Sequence, residues 1–176
     1  DIHLVRENHF SDFVNVYQNL SRLGYQRIGL MPQFNEWSIT DERRLAAAYF
    51  LNHHIIPRDE RMPVLPIKYG ESEPIIPWIR AHRPQAVITC TPGVYYFLEE
   101  NNIAIPDDLA LAFLEVEDKN RGKMAGIGMS YSVVGRRAVD FVLDMLRRND
   151  FGVPGSQEIL SVRAEYYPGE TAPARH

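Results

Sequence analysis

The sequence predicts an α/β fold, a parallel sheet with helices on both faces, and three observations carry that expectation. Short apolar runs alternate with longer stretches whose apolar residues recur at helical spacing. The runs are rich in aliphatic residues and almost free of proline. Aromatic and carboxylate side chains stand just after several of the runs, where a parallel sheet gathers its ligands.

The strand runs are residues 2–5, 27–31, 64–68, 86–90 and 109–114, and Pro66 marks the third as an edge or irregular strand. The first helix carries Phe13, Val16, Tyr17, Leu20 and Leu23 on one stripe, with Ser11 as its expected N-cap and Gly24 as its stop. A second helix is expected over 41–54 and a third over 74–82, the latter with Pro74 in its first turn. A fourth opens at Thr91 and Pro92, carries Val94, Phe97 and Leu98, and ends at Asn101 and Asn102. Beyond residue 114 a polar stretch, 117–123, and a glycine-rich stretch, 125–128, lead to a long amphipathic helix over 132–148. A last strand is expected over 159–165, and the proline- and glycine-containing tail from Pro168 is expected to fray.

Composition narrows the function. The chain has 176 residues, of which 45% are hydrophobic and 24% charged, so disorder and low complexity are excluded. A net charge of −4 gives no basic footprint for nucleic acid or an anionic membrane. The lone Cys90 excludes an internal disulfide framework. No apolar run approaches the roughly 18 residues of a membrane span.

Enzyme motifs are missing: there is no GxSxG, no Walker loop, no HExxH and no CxxC. Gly126, Gly128 and Gly135 are too widely spaced for GxGxxG and are read as turn glycines. His53 and His54 are adjacent on a helix and face different ways, so they do not chelate one metal ion together. Cys90 ends an apolar strand and is expected to be a buried, inert thiol. Binding fits better than catalysis. Glu7, Trp37, Tyr69, Thr91 and Glu115 stand at or just beyond strand ends, with Arg43 and Arg44 nearby. Flat apolar faces and charged hydrogen-bonding groups together suit a polar, ring-shaped solute.

The stretches LSRLGYQRIGLM, DERRLAAAYFL, RPQAVIT, IPDDLALAFLE and VVGRRAVDFVLDML resemble, in order and spacing, the effector-binding part of the LacI/GalR (lac repressor-like) family. That resemblance implies one lobe of a two-lobed, type I periplasmic-binding-protein-like domain. Residues 1–116 would form the C-terminal lobe, 117–157 a crossover and helix of the N-terminal lobe, and 158–176 a returning strand and flexible tail. It implies a cytoplasmic, homodimeric regulator without catalysis, cofactor, metal or membrane contact. A small-molecule effector, a sugar or sugar derivative, would control lobe closure and thereby operator binding by a helix-turn-helix lying outside this chain.

Residue by residue, the resemblance puts Glu7 and Asn8 in place of an Asp-Asn pair, Arg43 as the ligand-binding arginine, Tyr69 as the stacking aromatic and Glu115 as the pocket acid. The loop before Arg43 offers Trp37 and Ser38. Thr91-Pro92 replaces an Asn-Asp pair, Phe113 a glycine, Ala46 a helix glycine, and Met129 a glutamine. Arg44, about 100° round the helix from Arg43, is the control whose loss is expected to leave binding intact, and the plain alternative for Arg43 is a surface helix charge. Two other classes compete: a periplasmic sugar-binding protein of a transport system, and an enzyme using Glu7 and Glu115 as acid and base. A signal peptide would mark the first, and turnover of a sugar the second.

Overall fold

The computed structural model describes residues 2–34, 39–128 and 131–175. The chain divides into two compact units, one of residues 9–128 and 165–175 and one of residues 2–8 and 131–164. These boundaries differ from the expected 1–116, 117–157 and 158–176. The first strand, β1 (Leu4–Glu7), pairs in parallel with β8 (Ile159–Val162), which takes residues 2–8 out of the larger unit. Residues 117–128 stay in the larger unit because they end in a strand of its sheet.

The larger unit is built on a five-stranded sheet in the order β2 (Ile28–Met31), β5 (Ala86–Thr89), β6 (Ala110–Val116), β7 (Ala125–Gly128), β9 (Tyr166–Tyr167). β2, β5, β6 and β7 run parallel, and β9 returns antiparallel to β7. Helix α1 (His9–Arg22) buries Phe13, Val16, Tyr17 and Leu20 and packs on the sheet and against α2 (Ile39–Phe50). On another layer, Val87, Leu111 and Phe113 of the sheet join Trp78 of α3 (Ile75–His82) and Val94 and Leu98 of α4 (Gly93–Glu100) in one core. Strands that alternate their side chains supply both layers, so the parallel strands read as continuous apolar runs. Where α3 crosses β2 the strand offers Gly29, since a Cβ there would meet the Trp78 ring at 2.6 Å. The expected doubly covered parallel sheet is therefore what forms.

Several local expectations are corrected. Helix α1 begins at His9, so Ser11 lies inside its first turn and does not stand before it. Of residues 64–68 only β4 (Ile67–Lys68) is a strand, pairing with β3 (Gln33–Phe34) in a separate two-stranded ladder. Helix α2 continues beyond Phe50 as a π-helical turn, Leu51–Ile55. Gly126 and Gly128 belong to β7, and Gly135 to α5 (Tyr131–Arg147), so none of the three is a turn glycine. Gly126 has φ +145° and lies against β6, where a Cβ would fall 2.1 Å from the Phe113 carbonyl oxygen.

The tail does not fray. Thr171 Oγ1 donates to the Leu111 carbonyl oxygen at 2.8 Å and accepts from the Ala125 N–H at 2.9 Å, bracing β6 to β7. The Tyr25 hydroxyl donates to the Pro173 carbonyl oxygen, and the Arg175 N–H to that of Leu23. Proline and glycine in the tail fit close approach here, for a Cβ on Gly169 would lie 2.4 Å from the Ala125 nitrogen.

In the smaller unit α5 packs on β1, with His3 and Phe141 edge to face at 5.2 Å. None of the α5 side chains is buried within it.

Gly126→Ala meets backbone atoms and not a movable side chain, so it is expected to cost several kcal/mol, about 3 or more. A urea melt that places this variant within 1 kcal/mol of the parent, on the order of measurement error, would show that β6 and β7 yield locally.

Candidate functional site

The residues that gather at the carboxyl ends of β2, β5 and β6 come from five segments. Helix α2 presents Arg44 on the same face as Ala47, Ala48 and Leu51, all buried, at the i, i+3, i+4 and i+7 positions of one stripe. Arg44 is therefore carried inward and is only 4% exposed. Its Nη2 lies 2.7 Å from Glu115 Oε1. Arg43, one position along, is half-buried.

Glu115 reaches that position because the β6–β7 ladder slips: Phe113 pairs with Gly126 and Val116 with Gly128, leaving three steps of β6 opposite two of β7. A bulge of this kind re-aims the side chains inside it. Glu115 is thus a residue within a strand, not of the loop beyond it, and its side chain is 26% exposed.

Cys90 and Gln33 form the next layer. Cys90 is fully buried, and its sulfur accepts the Gln33 N–H at 3.2 Å. The Gln33 side-chain carbonyl accepts from the Thr91 N–H at 3.1 Å and from the Thr91 hydroxyl at 2.9 Å. Thr91 consequently ties β3 to the chain entering α4 and does not cap that helix, whose first turn has no side-chain cap. Burial pulls the Arg44 guanidinium down, but Cys90, Glu115 and Tyr69 around it outweigh that loss and hold it above the ordinary arginine value. Arg44 remains a cation at every accessible pH. Tyr69, just after β4, is half-exposed and is the aromatic in electrostatic reach of that cation.

Of the expected site residues, Arg43, Tyr69, Thr91 and Glu115 thus belong to the larger unit, and the arginine that pairs with Glu115 is Arg44. Glu7 ends β1 in the other unit. Trp37 and Met129, together with Ser38, lie outside the described residues. Gln33 was not anticipated, since a glutamine between Pro32 and Phe34 carries no motif. Arg44 was legible from its place on the Ala47–Ala48–Leu51 stripe. Among the described residues no group of three or more His, Cys, Asp or Glu side chains is arranged to hold a metal ion.

No family model and no curated protein matches the sequence. Solved structures do match the chain as folded. A LacI family transcriptional regulator from Enterococcus faecium with bound ribose superposes at TM-score 0.74 and 18% identity, covering 99% of this chain and 67% of its own. A LacI-family sugar-binding transcriptional regulator from Escherichia coli complexed with phosphate gives TM-score 0.72 and 16% identity, covering 96% and 63%. The lac repressor dimer bound to operator and the anti-inducer ONPF gives 0.71 and 16%, covering 96% and 52%. The fold is that of LacI-family regulators. The chain spans between 52% and 67% of the length of these LacI-family chains, so it has the fold of a part of them.

Removing either member of the buried pair leaves the other uncompensated, which costs about 3 kcal/mol when the site is largely dry. Arg44→Leu is expected to lower the urea midpoint far more than Arg43→Leu, which should cost about 1 kcal/mol or less. Equal effects from the two substitutions would place the wrong arginine inside.

Proposed function

We propose that this chain is the effector-binding part of a DNA-binding transcriptional regulator of the LacI type, and that its effector is a sugar or sugar derivative. The observation that carries the reading is the Arg44–Glu115 pair at the carboxyl end of a parallel sheet, its arginine buried and its acid 26% exposed, with the half-exposed Tyr69 just after β4. Such a pair offers donors and acceptors without net charge, which suits the hydroxyls of a neutral polyol, while an aromatic covers an apolar ring face. The structural neighbours carrying ribose or phosphate support a small polar ligand.

In this reading no bond is made or broken. The ligand acts by binding one arrangement of a larger molecule better than another, and it shifts the population only by that difference. DNA reading belongs to a segment other than this acidic chain, as the operator-bound neighbour suggests. We place the protein in the cytoplasm; no helix among the described residues is long and apolar enough to cross a membrane. The dimer we propose uses α4, where Tyr96 is half-exposed. Tyr95, in contrast, is buried, and its hydroxyl donates to Glu99 at 2.6 Å. That bond, together with burial, pushes its pKa up to about 12.

Calorimetry with D-ribose, D-glucose, cellobiose and inorganic phosphate tests the ligand class. In a protein that carries both lobes at least one saccharide is expected to bind, more tightly than to this chain by itself, and Tyr69→Ala to weaken it by roughly tenfold, the loss of a ring contact of about 1.4 kcal/mol. The thermal midpoint of that variant should not move, because Tyr69 is half-exposed. Absence of saccharide binding, or hydrolysis of any of these sugars, would overturn the reading.

Light scattering tests assembly. The protein is expected to be dimeric at high micromolar concentration, and Tyr96→Glu to shift it to monomer. A parent protein that remains monomeric with and without saccharide would refute the dimer.

A further inference from the structure

Gln33 is only 6% exposed, yet half of its side chain is unused. The orientation of its carboxamide is fixed by chemistry: the Thr91 N–H is a donor only, so the group facing it at 3.1 Å must be the carbonyl oxygen. The Thr91 hydroxyl adds a second donor to that oxygen at 2.9 Å. The Gln33 main chain is held as well, by its N–H to the Cys90 sulfur. The Gln33 amide nitrogen therefore faces away from Thr91 with two N–H donors, and among the described residues it meets no acceptor. Among the described residues the fully buried polar atoms without a partner are Thr89 Oγ1 and Tyr166 Oη, and the Gln33 nitrogen is not one of them. A buried, immobilised donor pair loses free energy unless something accepts from it.

We infer that Gln33 is a specificity-determining residue of the proposed effector site: its amide N–H2, aimed by the Thr91 latch, donates to an oxygen of the ligand. This rests on the ligand-binding reading above and extends it by naming the atom that selects. The position supports it. Gln33 pairs with Ile67, two residues before Tyr69, and its side chain bonds Thr91 just after β5, so the latch stands at the same strand ends as Tyr69 and the Arg44–Glu115 pair. The ligand the cluster fits presents an acceptor oxygen to Gln33 and a hydroxyl proton to Glu115, as neighbouring hydroxyls of a saccharide do. A site that hydrogen-bonds a ligand oxygen discriminates strongly against the analogue lacking it, because the buried donor is then left unpaired.

Gln33→Glu is the decisive substitution, since it keeps the shape and the acceptor that Thr91 needs while replacing both donors with an oxygen. Calorimetry on the full chain with D-ribose, D-glucose and cellobiose is expected to show at least a tenfold loss of affinity in this variant, which circular dichroism should show to be folded although a carboxylate at this buried position lowers the thermal midpoint. Gln33→Leu, which breaks the latch as well, should lose both affinity and thermal midpoint. As a readout that a structural role would not move, the Gln33 side-chain N–H2 resonances, assigned by their disappearance in Gln33→Glu, should shift on titration with the binding saccharide. If a saccharide binds and Gln33→Glu retains affinity within twofold, or those resonances stay in place, the inference about Gln33 is overturned while the ligand-binding reading stands. If no saccharide binds, both are overturned.

Discussion

A guanidinium carried into a protein interior demands a carboxylate, and much of this molecule is arranged around that demand. Arg44 goes inward because it shares a helix face with two alanines and a leucine, and a bare cation there would cost several kcal/mol. Glu115 meets it only because the ladder between β6 and β7 slips at that point. The slip and the close approach at Gly126 lie in one stretch of ladder, so the glycine and the acid are parts of the same local geometry. Helix α2 and the end of β6 are drawn together by one pair of opposite charges.

The same neutralisation shapes the chemistry that the site offers. A lone arginine in a cleft attracts anions, whereas an arginine already paired offers hydrogen bonds with little net field. Tyr69 adds a face and Gln33 a fixed carboxamide, so geometry more than charge does the selecting. Rigid parts surround it, because the Thr91 latch and the Cys90 contact hold the Gln33 side chain and main chain independently.

Much of this was legible in the sequence where one physical rule acted alone. Apolar runs that had to be buried on both faces became β2, β5 and β6, and the stripe on α1 became a buried face. Rules that compete were harder to read. Gly126 and Gly128 look like turn residues, yet they stand in a strand where the Phe113 backbone at the first and the Tyr167 ring at the second leave no room for a Cβ. The tail looks loose by composition, but Thr171 carries a hydroxyl that satisfies one group on each of two adjacent strand segments. Arg44 looks like a surface charge until its spacing to Ala47, Ala48 and Leu51 is counted. The Gln33 latch depends on side chains 58 residues apart in sequence, a separation no local pattern reports.

The placement of Thr171 also bears on how the chain comes to be folded during synthesis. The sheet of the larger unit takes its fifth strand, and the brace between β6 and β7, from residues made after the whole of the smaller unit. A ribosome emitting this chain in order therefore releases β2, β5, β6 and β7 well before the segment that closes them. Until residues 165–175 have cleared the exit tunnel, the free edge of β7 is open to pairing with other chains. That interval is when a nascent-chain chaperone has the most to protect, and it makes the emergence of residues 165–175 the step that commits the larger unit to its native form.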